Sequence, residues 1–135
     1  MAQQLLPNEP GCGKEDAVSL TLGELDAFQT QRLLEGHRLG RLTCHGPGGA
    51  ASVPVTYSMT DHDHVCVHAI GPCCDALARG QVTVRLEVDE TSGPRSWSTV
   101  IGWGFVEGPP AGADTYCIRL TSLRGFYRGE TRSTD

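Results

Sequence analysis

Three histidines and three cysteines fall between positions 62 and 74: His62, His64, His68, Cys66, Cys73 and Cys74. An imidazole titrates near neutrality and serves as acid, base or ligand, and a thiolate is a nucleophile and a soft metal ligand. His62 and His64 flank Asp63 in the polar stretch Thr60–His64, which reads as a turn. They are expected at the surface, and no metal site is expected. His68 differs, because alternation places it with Cys66 and Ile70, opposite Val65 and Val67. If that face meets a cleft, His68 is an acid/base candidate or a haem ligand; otherwise it is a structural histidine. Cys73 follows Gly71-Pro72 at the expected start of a helix. Free amides and the helix dipole lower a thiol pKa there, so Cys73 is either a reactive thiol or a side chain without a role.

The other cysteines, Cys12, Cys44 and Cys117, form no CxxC spacing with these. Adjacent Cys73 and Cys74 bridge poorly because the geometry strains the backbone. With no basic flank or apolar core in Met1–Pro10, no secretory signal is expected, so the thiols should stay free in a cytoplasmic protein. Cys44, Cys66 and Cys117 lie in strand-like runs and are expected as packing residues.

Other chemistries are excluded more firmly. No Ser/His/Asp arrangement, P-loop or dinucleotide-binding glycine fingerprint is present, and Gly46-Pro47-Gly48-Gly49 is a hairpin turn. The net charge of −5, with ten arginines and the single lysine Lys14, argues against a nucleic-acid partner, which needs clustered cations. No run approaches the roughly 20 apolar residues of a membrane helix. At 135 residues, 39% hydrophobic, the chain suits one domain over 19–128, with an arm at 1–18 and a tail at 129–135.

These residues need elements to hold them. Thr21 and Glu24 have the spacing of a capping box, with Leu22, Leu25, Phe28, Leu33 and Leu34 on one stripe and Gly36 as a stop, so a helix is expected over 22–35. Alternation then predicts strands over 41–44, 50–59, 65–70, 81–90, 97–107 and 116–121, the fifth being the longest. A short helix is expected over 73–80. Pro54 lacks an amide hydrogen, so its strand must be an edge or bulged there. Trp97, Thr99, Ile101, Trp103 and Phe105 share one face of their strand, opposite Gly102 and Gly104, where something should approach closely. Arg85 and Glu87 alternate with Val84, Leu86 and Val88. The sum is a mostly β protein, a six-stranded antiparallel barrel with an N-terminal helix and one short helix after strand 3.

The ordered set Gly36-His37-Arg38-Leu39-Gly40-Arg41-Leu42, Val53-Pro54-Val55-Thr56-Tyr57, Val67-His68-Ala69-Ile70-Gly71, Arg85–Glu90 and Trp97–Gly104 resembles the pyridoxamine 5′-phosphate oxidase-like split-barrel proteins. That resemblance implies a homodimeric split barrel holding FMN between subunits, an oxidoreductase acting on a small organic substrate. It implies that Val55, Thr56 and Tyr57 lie along the isoalloxazine ring and ribityl chain. His68, Ala69 and Ile70 would run beside the phosphate at the helix start near Pro72. Arg85 would pair with the phosphate, and Trp97 and Ser98 would come from the second subunit. The family often has a lysine where Cys73 stands. Two alternatives therefore stay open: a barrel without flavin, using His68, Tyr57, Arg85 or Cys73 on a small apolar molecule, and a haem-binding relative.

Overall fold

The computed structural model describes residues 17–46, 49–69, 77–78, 82–91 and 93–133. The elements are β1 (Ala17–Glu24), α1 (Ala27–Glu35), β2 (Leu39–Gly46), β3 (Gly49–Met59), β4 (His64–His68), β5 (Thr83–Thr91), β6 (Ser96–Val106) and β7 (Thr115–Ser133). All the strand pairings are antiparallel, in the order β1-β7-β4-β3-β2-β5-β6. β6 also pairs with β7, so the pairings of β2 to β7 run round in a closed ring. The side chains turned inward fill it: Leu42, Val65, Val67, Val84, Leu86, Val88, Val100 and Ile118 are all fully buried. Removing each from water is worth about 1.5–3 kcal/mol.

The chain start departs from expectation. Thr21 and Glu24 do not cap a helix; they sit in β1, opposite Gly129 and Phe126 of β7. Leu20 and Leu22 suit either period, and the ladder along β7 satisfies their backbone as a strand, which leaves both side chains exposed. The capping box is instead Asp26 and Gln29. The Gln29 amide donates to Asp26 Oδ1 at 2.8 Å, and the Asp26 amide donates to Gln29 Oε1 at 3.1 Å. Leu33 and Leu34 are then buried while Phe28 faces solvent, and Gly36 ends the helix as expected. Among the described residues strands therefore number seven rather than six. The helix expected over 73–80 lies, but for Leu77 and Ala78, outside the described residues.

Two strand expectations hold. Pro54 stands opposite Arg41, but the bonded positions of this pair fall on the alternate residues, as Tyr57 N–H to Arg38 O shows at 2.8 Å. The Pro54 nitrogen therefore points away from β2, to the side where β4 pairs only with Thr56–Met59. Gly102 and Gly104 face inward against β7, and a Cβ on Gly104 would lie 2.0 Å from the Arg119 carbonyl oxygen. The longest strand is β7, not β6. It carries one extra residue, Thr121, between the partners of Trp103 and Gly104, a bulge that shifts its inward phase. Its first part pairs with β4, its last with β1, and its length with β6. No helix among the described residues is long and apolar enough to cross a membrane.

Candidate functional site

The outward faces of β3 and β4 lie side by side in register, Thr56 opposite His68 and Ser58 opposite Cys66. With Arg38 from the turn before β2 and Thr115 from the start of β7, they line an open cleft of about 490 Å³. Thr56, Ser58, Cys66 and His68 reach this cleft because of the pleat, since Val55, Tyr57, Val65 and Val67 turn their side chains the other way, into the core. Thr115 spends its hydroxyl proton on the Ala113 carbonyl at 3.2 Å. It can therefore only accept from His68 Nδ1, 3.3 Å away. In the neutral ring that contact selects the tautomer with the proton on Nδ1, which leaves Nε2 as the acceptor. Among the described residues, Arg38 has no carboxylate partner within 4 Å.

Of the residues named from sequence, the protomer brings together Thr56, Tyr57 and His68 at the cleft, while the side chains of Val55, Tyr57 and Ala69 are buried. The Tyr57 hydroxyl is turned away from the cleft, donates to the Leu34 carbonyl at 2.5 Å, and is pushed by burial up to about 12. It is a neutral strut rather than an acid or base. Arg85 is not at the cleft. It lies opposite Thr43 and Trp103, and Thr43 lies opposite Ser52, four residues along β3 from Thr56. At about 3.4 Å per residue that is roughly 14 Å along the strand, to which the two strand spacings from β3 to β5 are added. Its Nε is buried without a hydrogen-bond partner among the described residues. Trp97 and Ser98 line a second cleft of about 520 Å³ with Glu24, Gln29, Tyr127 and Arg128, where the Arg128 guanidinium sits 4.7 Å from the centre of the Trp97 ring. Ile70 and Cys73 lie outside the described residues.

Sequence reasoning missed Arg38, Ser58, Cys66 and Thr115 as cleft residues. Arg38 stands within a quoted motif, but nothing in its own type or spacing announced a role. Cys66 faces Cys117 across the β4–β7 pair, with the sulfurs 3.4 Å apart. Burial, then the contact with Cys117, pushes the Cys66 thiol above its ordinary value.

The remaining histidines are structural or exposed. His64 directs one ring nitrogen at Glu107 and the other at Asp63, each at 2.8 Å, and Arg119 reaches Glu107 at 3.7 Å. Led by the Glu107 hydrogen bond, these carboxylates hold the imidazole above its ordinary value. His62 is 78% exposed and lies against Asp61, whose carboxyl is held low by the His62 backbone amide and then by its ring. Asp61, His62 and Asp63 bring three donor atoms within 4.8 Å of one another in this exposed turn.

No protein-family model matches the sequence, and no curated protein matches it. The fold is similar to solved structures. A FAD-binding protein from Mesorhizobium loti matches with a TM-score of 0.70 at 20% identity, over 82% of this chain and 99% of the other. A FAD-binding protein from Mycobacterium smegmatis matches at 0.62 and 18%, over 81% and 98%. A candidate pyridoxamine 5′-phosphate oxidase from Corynebacterium glutamicum matches at 0.59 and 14%, over 79% and 98%. At these identities, all of 20% or less, the likeness is one of fold.

Proposed function

We propose that this chain is a split-barrel flavoprotein. In this reading the cleft around Thr56, His68 and Arg38 takes a flavin, and a homodimer completes it. The observation that carries the reading is this outward-facing cleft, which sets hydroxyl, imidazole and guanidinium groups around one opening, on a fold that resembles flavin-binding proteins. Its donor set fits the group chemically. Thr56 and Ser58 offer hydroxyls and His68 an acceptor nitrogen, suited to the edge of a polar ring system, and Arg38 offers a planar cation suited to a phosphate. Arg38 thus takes the part expected of Arg85. A bound flavin would supply hydride transfer to or from a small organic substrate. The protein's part is to orient the ring with Thr56 and Ser58, to neutralise phosphate charge with Arg38, and to accept a proton at His68 Nε2.

Support for the second copy comes from β6, whose outward row of Trp97, Thr99, Ile101, Trp103 and Phe105 is only partly covered within one protomer. A partner on this face would bury it and bring Trp97 and Ser98 toward a neighbouring cleft. The test is the visible absorbance of protein purified from cells and again after incubation with FMN and with FAD. The flavin bands are expected, and the mass of the ligand released by denaturation distinguishes FMN from FAD. A sample that stays colourless with both, or one that shows a Soret band, would overturn the reading.

A further inference from the structure

Cys66 and Cys117 lie 51 residues apart in the chain but directly opposite each other in the β4–β7 pair. Their step in the ladder matters. The Ala69 amide donates to Asp114 at 2.9 Å and the Leu120 amide donates to Asp63 at 2.7 Å. Both bonds belong to odd-numbered residues of β4 and its flanks, so the bonded positions alternate with the position of Cys66 and Cys117. At such a non-hydrogen-bonded position opposed Cα atoms approach to about 4.5 Å and the side chains lean together. That distance falls within the range of roughly 4.4–6.8 Å that a disulfide spans. The sulfurs are already 3.4 Å apart. Closing to a bond of about 2.05 Å needs a small side-chain adjustment and no change of register.

Access is as favourable as geometry. Both residues are half-buried rather than sealed, whereas Cys44 is 1% exposed. Cys66 forms part of the cleft wall beside Ser58 and His68, so a small oxidant reaches its sulfur from the cleft. Neither thiol is consumed in the core packing of the ring.

We infer that Cys66 and Cys117 form a dithiol–disulfide couple in the cleft wall, oxidised by hydrogen peroxide and restored by a dithiol reductant. The Cys66 thiolate attacks a peroxide oxygen, the O–O bond breaks, and the departing oxygen leaves as water after taking a proton. Cys66 is then a sulfenic acid. Cys117 Sγ attacks that sulfur, the S–S bond forms, the S–O bond breaks, and a second water leaves with the Cys117 proton. Two thiols and one peroxide thus become one disulfide and two waters. A dithiol such as dithiothreitol reverses this by exchange and is itself oxidised to its cyclic disulfide. Because burial holds the Cys66 thiol above its ordinary value, the first step draws on a small thiolate fraction and quickens as pH rises.

The inference stands whichever ligand the cleft takes, and its test needs no ligand. The reduced full-length protein is treated with hydrogen peroxide, free thiols are blocked with iodoacetamide, and the digest is sequenced by tandem mass spectrometry without reduction. Cys66 and Cys117 should lose alkylation together and appear as one linked peptide pair, two hydrogens lighter than the free peptides. Fragment ions between Cys66 and Cys73 identify which sulfur is joined. Dithiothreitol should restore both. In Cys117→Ser the link should vanish and dimedone should capture Cys66 as the sulfenic acid. Persistent alkylation of Cys66 and Cys117 in the treated wild-type protein, or Cys66 joined to a different cysteine, would overturn the inference, and the wild-type map decides this even if the variant fails to fold.

Discussion

The hydroxyl of Tyr57 donates a 2.5 Å hydrogen bond to the carbonyl oxygen of Leu34, tying the middle of β3 to the last turn of α1. Both residues are buried, Tyr57 4% and Leu34 1% exposed. The bond satisfies a helix-end carbonyl that has no other route to water.

Tyr57→Phe should therefore destabilise the fold by about 1–3 kcal/mol, the cost of an orphaned buried acceptor. Urea unfolding reads it directly. The wild-type protein should also lose stability as pH rises from 10.0, where the unfolded chain's tyrosine ionises, through the native value of about 12. In Tyr57→Phe this part of the alkaline decline should be absent.

Gly104→Ala should cost about 3 kcal/mol, the upper end for overpacking, or more, because the new methyl meets backbone rather than a movable side-chain tip. Gly112→Ala, where a Cβ would meet only Thr115 at 3.9 Å, should stay within about 0.5 kcal/mol. Equal thermal melting of the two variants would contradict the close β6–β7 crossing.

The charged ring of His64, held between Glu107 and Asp63, gives stability a slope near neutrality. Its native pKa is raised, so this contribution is complete below the ordinary value of 6.5 and is lost as pH climbs through the native one. Melting temperature should fall across that window, and Glu107→Gln should flatten the fall.

On the outer face of β6, Ile101→Glu places a charge in the middle of the Trp97–Phe105 row without touching the core. If a second copy covers this row, the variant should elute at half the wild-type mass by light scattering, with its circular dichroism unchanged.

Arg38→Gln removes the cleft's guanidinium. Loss of a charge-assisted contact of about 1.5–3 kcal/mol would weaken flavin binding roughly ten-fold or more, measured by fluorescence titration. Arg85→Gln should leave that affinity unchanged unless a partner subunit brings Arg85 to the cleft.

Much of this fold was legible in the alternation of Val53, Val55 and Tyr57, of Val65 and Val67, and of Val84, Leu86 and Val88, because one face of each strand is sealed. Gly36 and Pro54 marked a helix end and an unpaired edge for local steric reasons. β1 was hidden because Thr21 and Glu24 carry a helix-start spacing that only pairing with β7 overrides. The length of β7 was hidden because the bulge at Thr121 moves its inward residues from Tyr116, Ile118 and Leu120 to Leu123 and Gly125, and a strict period of two stops there. The cleft was half legible. His68 follows from parity and Thr56 from the family resemblance, whereas Arg38, Thr115 and the meeting of Cys66 with Cys117 depend on register between segments far apart in the chain.

The place of β7 in the ring has a bearing on how the protein is made. Because β7 is the shared partner of β4, β6 and β1, every strand before it leaves the ribosome as part of an open sheet. The free edges of β4 and β6 then present unpaired amides and carbonyls to any neighbouring chain. Nascent protein is exposed to edge-to-edge pairing until residues 115–133 have been made and have folded against β4, β6 and β1.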